Sequence, residues 1–496
     1  MSEAVRALAQ SAKEAARCLA SVTVEQRDRA LEEIARALEF AAPEILAANA
    51  QDVAEAEAVL RRGESSKALV DRLRLSSQKL QSMIEGIRAV VSLPDPIGRV
   101  LDRIELDTGL ELEKISCPLG LLAVIFEARP EAVTQIASLA IKSSNAVILK
   151  PGREVERTAR VIVEKIRAAL RARSLPEALV TNIQERAEVR ELLRLDDLID
   201  LVIPRGGYEL VRYVQSNSRI PVLGHSEGVC HIYVDAAADF DMALDIVEDA
   251  KTDYPAACNA VETVLVDEAI AGRFLPLLAA RMKEKGVRLR GCPQAVAAIH
   301  DVPVEPVADN EWHTEYGDLV LALKVVHGVN EAIDHIQRFG SAHTDAIVTN
   351  DAEAARTFLQ RVDSAGVYHN ASTRFADGYR YGFGAEVGIS TSRLHARGPV
   401  GLDGLTTYKY VLRGHGQLAR DYQGLHARPF LHRRVADGDS RAHSNQAKSA
   451  PVQPAKPKSA PAKLAQPKLP HVKSARAKST RAKSTRAKST RGGSRG

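Results

Sequence analysis

Short apolar runs that alternate with helical segments restrict the fold of this 496-residue chain more than any other feature. The apolar runs occupy residues 121–126, 146–149, 179–183 and 198–203. The intervening segments predicted as helices are 131–141, 155–173 and 187–193. Strands that are apolar on both faces and are separated by helices indicate a parallel sheet covered by helices on both sides. The sequence therefore predicts a doubly wound α/β domain, which binds ligands at the carboxyl ends of its strands.

A second set of alternating elements follows, from about His231 onward. Its predicted strands are 231–235, 263–266 and 319–326, and its predicted helices are 240–252 and 268–285. Isolated extended segments at 99–115 and 407–412 predict a projecting β-flap, an element that often makes oligomer contacts. The first ninety residues have the periodicity of amphipathic helices, with a capping box predicted at Thr23 and Gln26.

The C-terminal tail differs from the rest of the chain in composition. Residues 431–496 hold 17 Lys and Arg against two Asp, so the net charge of +5 combines a tail of +15 with a body of −10. The tail repeats RAKST three times from Arg476 and is almost free of large apolar residues, which predicts disorder. Its charge suits nonspecific contact with nucleic-acid phosphates, although anionic membranes and ribosomes are alternatives. The acidic body argues against nucleic-acid binding as the main role.

Cysteine usage indicates a reducing compartment. The five cysteines form no CxxC pair and no cluster with metal-ligand spacing, so no metal site is expected. The chain has neither a signal peptide nor an apolar run long enough for a membrane span, and a cytoplasmic location is predicted. Cys258 lies in a run of small residues between a predicted helix and a predicted strand, which suits a reactive thiol. From composition alone, a buried structural cysteine is the better alternative.

Two loops at predicted strand ends are candidate phosphate-binding segments. Arg205, Gly206 and Gly207 precede a helix, so their backbone amides are placed to contact a pyrophosphate. Lys150 and Arg153 follow another strand and supply two cations. A simple strand-to-helix turn explains the glycines equally well, and the usual GxGxxG fingerprint is absent.

The chain also contains a series of longer motifs. They are IFEARPE (125–131), IPRGG (203–207), PVLGHSEGVCHIYVD (221–235), KTDYPAACNAVET (251–263), WHTEYGDL (312–319), NASTRFADG (370–378), YGFGAEVGISTSRLHARGPVGLDGL (381–405) and YKYVLRGHGQ (408–417). These motifs resemble those of a known family, the γ-glutamyl phosphate reductases of the aldehyde dehydrogenase superfamily. They occur in the family's order, and the resemblance covers roughly residues 5–418. The resemblance implies an aldehyde-dehydrogenase-like α/β fold with two doubly wound domains, a small β-flap for oligomerisation and a disordered basic tail. The implied boundaries are a cofactor domain at 1–225 (with 99–115 in the flap), a catalytic domain at 226–395, a return segment and flap strand at 396–424, and the tail at 431–496.

The resemblance also implies a reaction, the second step of proline biosynthesis. L-Glutamyl 5-phosphate is reduced with NADPH to L-glutamate 5-semialdehyde, and phosphate is released. Cys258 takes the position of the nucleophile that carries the acyl group as a thioester, with its amide and Asn259 as candidate oxyanion donors. Hydrolytic aldehyde dehydrogenases have a general-base glutamate at a position that aligns with His225 here, and its absence favours reduction over hydrolysis.

The remaining implied site residues bind cofactor and substrate. The cofactor set is Lys150, Arg153, Arg205, Gly206, Gly207 and Glu315, the last resembling the superfamily glutamate that contacts the nicotinamide ribose. The substrate set is Arg129, His225, Arg374 and Arg397, and the arginines have structural ion pairs as their alternative role. A homo-oligomer and a functional association with glutamate 5-kinase are further expectations.

Overall fold

Amphipathic helices form the N-terminal part of the computed structural model, which describes residues 3–224 and 227–435. They are α1 (Glu3–Leu19), α2 (Val24–Phe40), α3 (Ala42–Arg61), α4 (Lys67–Leu73) and α5 (Ser77–Ser92). The capping box at the start of α2 is confirmed, because the Gln26 amide donates to Thr23 Oγ1 and the Thr23 amide donates to Gln26 Oε1. An antiparallel hairpin of β1 (Val100–Asp107) and β2 (Leu110–Pro118) follows.

The first parallel sheet is built from the apolar runs at 121–205. Its strands are β3 (Leu121–Phe126), β4 (Ala146–Pro151), β5 (Val180–Asn182) and β6 (Leu201–Arg205), in the order β5-β4-β3-β6. Helices α6 (Pro130–Lys142), α7 (Glu156–Ala172), α8 (Arg186–Leu192) and α9 (Tyr208–Asn217) alternate with them. Every residue of β3 and β4 is buried, which is why neither strand shows a polar face. The carboxyl ends of β3, β4 and β6 lie side by side, with Phe126 paired to both Pro151 and Arg205.

The second parallel sheet has seven strands. They are β7 (Cys230–Val234), β8 (Val261–Asp267), β9 (Arg288–Gly291), β10 (Val304–Pro306), β11 (Val320–Val326), β12 (Thr344–Val348) and β13 (Gly366–His369). The helices that accompany them are α10 (Phe240–Thr252), α11 (Glu268–Glu284), α12 (Pro293–Ala298), α13 (Gly328–Phe339) and α14 (Ala352–Arg361). The strand order is β10-β9-β11-β8-β7-β12-β13, so β7 and β8 are central. The two parallel sheets with intervening helices agree with the α/β architecture that the sequence predicts.

The chain then returns to the hairpin. A short pair, β14 (Ile389–Ser390) and β15 (Gly398–Pro399), precedes β16 (Thr406–Arg413) and β17 (Arg433–Arg434). Strand β16 pairs with β2 and β17 pairs with β1, giving a four-stranded antiparallel sheet in the order β16-β2-β1-β17. We call this sheet the flap.

The flap corrects the predicted start of the tail. Residues 431–435 were assigned to a disordered segment, but Leu431 and Val435 donate backbone hydrogen bonds to β1, and Arg433 forms an ion pair with Glu105. Composition did not predict this pairing, because β17 is two arginines long and is held by backbone hydrogen bonds to β1, which leave no apolar pattern in the sequence. The predicted disorder of 436–496 and the predicted role of His225 concern residues outside the described part of the chain. Within the described part, the helices are too short or too polar to cross a membrane.

Candidate active site

Cys258 lies on the turn between α10 and the central strand β8. Its side chain is partly exposed, and the turn is held by hydrogen bonds from the Ala257 amide to the Tyr254 carbonyl and from the Ala260 amide to the Ala257 carbonyl. Within residues 3–224 and 227–435, no acceptor is found for the amide of Cys258 itself. A thiol that solvent can reach, beside an uncommitted backbone donor, is an arrangement suited to acyl transfer.

A glycine fixes the backbone on the other side of this turn. A Cβ built on Gly228 would lie 2.6 Å from both the Cα and the carbonyl carbon of Cys258, and closer still to the carbonyl oxygen. Only glycine allows two backbones to approach so closely. The thiol of Cys230 donates to the same carbonyl oxygen at 3.3 Å, and burial raises the pKa of this second thiol well above its usual range. Cys230 is therefore a buried packing residue.

Asn259 joins the Cys258 turn to the segment that follows β13. Its side-chain amide donates to the carbonyls of Ala376 (2.9 Å) and Arg374 (3.4 Å), and its side-chain oxygen accepts a hydrogen bond from the Arg374 guanidinium. Arg374 also binds Asp253 at 3.1 Å. The donors of Asn259 are thus committed, which argues against its predicted role at the oxyanion and favours a positioning role. Arg374 has the structural ion pair that was the alternative to substrate binding.

Arg129 and Arg205 are less committed than Arg374. Arg205, at the carboxyl end of β6, pairs with Phe126, three residues before Arg129, and its Nη2 lies 3.8 Å from Glu386 Oε1. Burial lowers the pKa of the Arg205 guanidinium, and Glu386 opposes that shift. Burial likewise raises the pKa of the Glu386 carboxyl, which Arg205 opposes. The sequence assigns Arg205 to the cofactor, and the closest side-chain contacts of Arg205 are with Gln135 Oε1 and the Glu386 carbonyl, both at 3.4 Å.

A buried ion pair flanks the Cys258 turn, and Glu315 binds the glycine that faces it. Lys251, in the last turn of α10, binds Glu262 on β8 at 2.8 Å, and both side chains are fully buried. Burial raises the pKa of Glu262 to about 7, and Lys251 opposes this shift. Glu315 accepts a hydrogen bond from the Gly228 amide at 3.0 Å. The predicted nicotinamide-ribose residue is therefore connected to Cys258 through Gly228.

The predicted phosphate loops meet at the carboxyl edge of the first sheet. Gly206 packs closely against two side chains, because a Cβ there would contact the Glu127 carboxylate and lie 2.7 Å from Leu210 Cδ2, so both side chains would have to move. Gly207 is the N-cap of α9, and its amide donates to Glu127 Oε2 at 3.0 Å. This bare backbone at a helix N-terminus can hold a pyrophosphate, but a carboxylate accepts the hydrogen bond of the Gly207 amide.

The two predicted cations of the neighbouring loop differ in environment. Lys150 is buried at the end of β4, where its Nζ donates to the Pro151 carbonyl at 2.6 Å. Burial lowers the pKa of Lys150, and Glu154 opposes this shift. Arg153 is exposed in a single 3-10 turn. Lys150 thus lies at the strand edge where the glycines are, and Arg153 lies at its solvent side.

Arg397 lies apart from this cluster. Its guanidinium binds the Asp363 carboxylate at 2.7 Å and the Asp363 carbonyl at 2.6 Å. It lines a cavity of about 480 Å³ with Leu93 and Phe383, and Cys258 is not in that lining. The structural ion pair again accounts for the arginine.

The structure therefore brings most of the predicted residues into two neighbouring groups. Cys258, Asn259, Arg374 and Glu315 lie at the turn and at the Gly228 segment that faces it, and Arg129, Lys150, Arg153, Arg205, Gly206 and Gly207 lie at the strand edge of the first sheet. Sequence reasoning missed Glu386, Gly228, Asp253 and Glu127, although each lies inside a quoted motif. Those motifs were the available signal, but a sequence does not show which motif residues face one another.

Comparison with known proteins settles the family. Residues 1–289 match the profile of the aldehyde dehydrogenase family. A γ-glutamyl phosphate reductase from Synechocystis is 53% identical over 429 residues, which cover 86% of this chain and 98% of that protein. The chain belongs to this family. A relative from Synechococcus elongatus, also a γ-glutamyl phosphate reductase, is 54% identical over 86% of this chain and 97% of its own length.

A solved structure agrees with these matches. The crystal structure of γ-glutamyl phosphate reductase from Thermotoga maritima superposes with a TM-score of 0.80 at 41% identity, covering 84% of this chain and 99% of that one. The resemblance stated from the motifs is confirmed, and the chain is an oxidoreductase of the aldehyde dehydrogenase family with a role in proline biosynthesis. Family membership supports a nicotinamide cofactor, and the bare backbone of Gly206 and Gly207 before α9 fits the pyrophosphate of such a group.

Proposed function

We propose that this enzyme reduces L-glutamyl 5-phosphate to L-glutamate 5-semialdehyde with NADPH and releases phosphate. The observation that carries the proposal is the partly exposed Cys258, held at a turn beside its own uncommitted amide and packed closely against Gly228. The names of relatives more than half identical over nearly their whole length support the substrate.

In the first half-reaction the Cys258 thiolate attacks the carbonyl carbon of the acyl phosphate. A carbon–sulfur bond forms, and the bond between the carbonyl carbon and the oxygen that carries the phosphorus breaks. Phosphate leaves with the electron pair of that bond. The Cys258 amide is placed to donate to the oxyanion of the tetrahedral state, and losing such a donor costs about 10²–10³ in turnover. Asn259 holds the turn by its bonds to Arg374 and Ala376.

In the second half-reaction the thioester accepts a hydride at its carbonyl carbon and expels the thiolate, which leaves the aldehyde. The reduced nicotinamide, when bound, supplies this hydride. Gly206 and Gly207 would hold the pyrophosphate of this cofactor, Lys150 and Arg153 would bind the phosphate on its adenosine ribose, and Glu315 would bind the nicotinamide ribose. A 2′-phosphate is matched by the two cations, which supports NADPH.

Hydrolysis of the thioester is the competing outcome, and the carboxylates near the turn disfavour it. Glu262 is paired with Lys251 and accepts from the Gly317 amide at 3.3 Å. Glu315 accepts from Gly228. Both carboxylates are committed to holding the backbone, so neither is set up to activate water, and the thioester persists until hydride arrives.

The reverse reaction tests the proposal. The substrates are glutamate semialdehyde, NADP⁺ and phosphate, and the signal is formation of NADPH. We expect phosphate-dependent activity that falls at least 10³-fold in Cys258→Ala, about the scale for loss of a covalent nucleophile. Cys18→Ala, which removes an exposed thiol on α1, is the matched control. Phosphate-independent activity would assign the enzyme to the hydrolytic class, and full activity of Cys258→Ala would remove the cysteine from its role.

We propose that the enzyme is a homo-oligomer that assembles through the flap. Edge strand β16 exposes Tyr408, Tyr410 and Leu412, which supports pairing between copies through this sheet. We also propose a cytoplasmic location, because the five cysteines are unpaired and unpaired thiols are typical of a reducing compartment.

Two further partners are proposed. One is a functional association with glutamate 5-kinase, which makes the acyl phosphate. The other is nonspecific contact between the basic tail and nucleic acid. A gel-shift assay of chains with and without residues 436–496 tests this contact, and equal binding by both chains would exclude it.

A further inference from the structure

Arg129 and Arg205 stand out among the arginines near the site because neither has a strong partner. Within residues 3–224 and 227–435, no hydrogen-bond or ion-pair partner is found for the Arg129 guanidinium. Arg205 is only 14% exposed, yet its Nη1 lies 3.4 Å from both Gln135 Oε1 and the Glu386 carbonyl, and its Nη2 lies 3.8 Å from Glu386 Oε1. Each of these contacts is longer than an ordinary hydrogen bond.

A largely buried guanidinium whose contacts are all long lacks the hydrogen bonds that normally offset its loss of water. Burial removes water from its five donors, and a buried charge normally gains close, charge-assisted hydrogen bonds in return. Arg374 and Arg397 show the satisfied alternative in the same chain, since each binds a carboxylate at 3.1 Å or less. Arg205 is therefore arranged to receive an anion that the chain itself does not supply, and the partly exposed Arg129 offers a second cation that no carboxylate of the described residues binds.

The neighbourhood of the pair defines that anion further. Arg205 pairs in the sheet with Phe126, three residues before Arg129, so the two cations lie at the same edge of the first sheet. They repel unless a group of high negative charge lies between them, and Glu386 alone supplies a single distant carboxylate. Glu386 accepts a hydrogen bond from the Gly378 amide at 2.9 Å, and the nearby Ala376 carbonyl accepts one from Asn259, the neighbour of Cys258. A charge bound by the two arginines therefore lies on the side of the Cys258 turn, where the thiol attacks. In the proposed substrate the phosphoryl group is bonded to the carboxyl carbon that the thiol attacks, whereas the α-carboxylate lies at the far end of the carbon chain.

We infer that Arg129 and Arg205 together form the subsite for the phosphoryl group of the acyl phosphate, with Glu386 as the counter-ion of Arg205 when the subsite is empty. This inference rests on the proposed function and deepens it. Planar guanidinium groups bind phosphate oxygens in pairs, so the subsite orients the leaving group and stabilises the charge that develops on it. Arg205 thereby moves from the cofactor to the substrate.

The test separates the two ends of the substrate. In the reverse reaction, KM for inorganic phosphate and KM for the semialdehyde are measured for Arg129→Met, Arg129→Lys and Arg205→Lys. Arg356→Met, on the exposed face of α14, is the control. A second readout needs no turnover: the rate at which iodoacetamide alkylates Cys258, with and without inorganic phosphate, followed by mass spectrometry.

We expect KM for phosphate to rise at least about 10-fold in the Met variant, the scale of one lost charged hydrogen bond, while KM for the semialdehyde changes less than about 3-fold. Phosphate should alter the alkylation rate of the wild type and of the control, but not that of Arg129→Met. Arg129→Lys, which keeps the charge, should recover part of the phosphate affinity and guards against a folding defect. A selective rise in KM for the semialdehyde, or no change in either constant, would overturn the inference. If wild-type turnover itself lacks phosphate dependence, the proposed function fails instead.

Discussion

Replacement of Gly228 by alanine tests the geometry of the Cys258 turn directly. The added Cβ would lie 2.6 Å from the Cα and from the carbonyl carbon of Cys258. Carbon atoms in contact are ordinarily about 3.5–4.0 Å apart, so one backbone must retreat by about 1 Å. Such overpacking costs about 1–3 kcal/mol of stability. A shift of about 1 Å at a nucleophile can cost about 10²-fold in rate.

The assay compares turnover in the reverse reaction, the alkylation rate of Cys258 and the melting temperature. We expect Gly228→Ala to lower kcat about 100-fold with a modest loss of stability. Gly272→Ala is the matched control, because a Cβ on that residue of α11 meets nothing within 4 Å. It should leave kcat unchanged and raise stability by about 0.5–1 kcal/mol, since alanine favours a helix over glycine. Near-normal kcat and alkylation in Gly228→Ala would refute the argument that this contact positions the thiol.

Three further outcomes follow from the site. Glu127→Gln should tighten NADPH binding about 2- to 5-fold in a nucleotide-fluorescence titration, because it removes a carboxylate from the amide of Gly207 at a helix N-terminus; weaker binding would show that the carboxylate holds the cofactor. Lys251→Met should lower the free energy of unfolding by about 3–5 kcal/mol, because it leaves Glu262 buried and unpaired, and the double variant Lys251→Met/Glu262→Leu should recover most of this loss. Equal losses in the single and the double variant, measured by chemical denaturation, would contradict this. Because the folded-state pKa of Glu262 is raised to about 7, the wild type should lose stability relative to Glu262→Gln as the pH rises from about 4.5 to 7, and parallel melting curves across that window would contradict the shift.

Sequence patterns predicted the sheets because burial on both faces leaves a clear mark. The apolar run at 121–126 coincides with β3, and the prediction at 240–252 coincides with α10. The edge strand β17 was missed because Arg433 and Arg434 gain their order from a partner strand far away in the sequence. Local pattern carries no record of such pairing.

The site was predicted unevenly for a related reason. The motif around Cys258 identified the nucleophile, since its chemistry depends on residue type. The three arginines of the substrate set were equivalent in sequence, and only their partners in space distinguish them. Asp253 and Asp363 neutralise Arg374 and Arg397, whereas Arg129 has no such partner among the described residues. Charge pairing over long sequence separations decides which cation is available to a ligand.

Strand β17 gives the flap two unequal edges. At one edge β17 has only two residues, both arginines, whereas at the other edge β16 runs for eight residues and exposes apolar side chains. A short, charged edge strand discourages pairing with another chain, and a long edge strand with exposed apolar side chains favours it. We therefore expect any backbone pairing between copies of this chain through the flap to use the β16 edge.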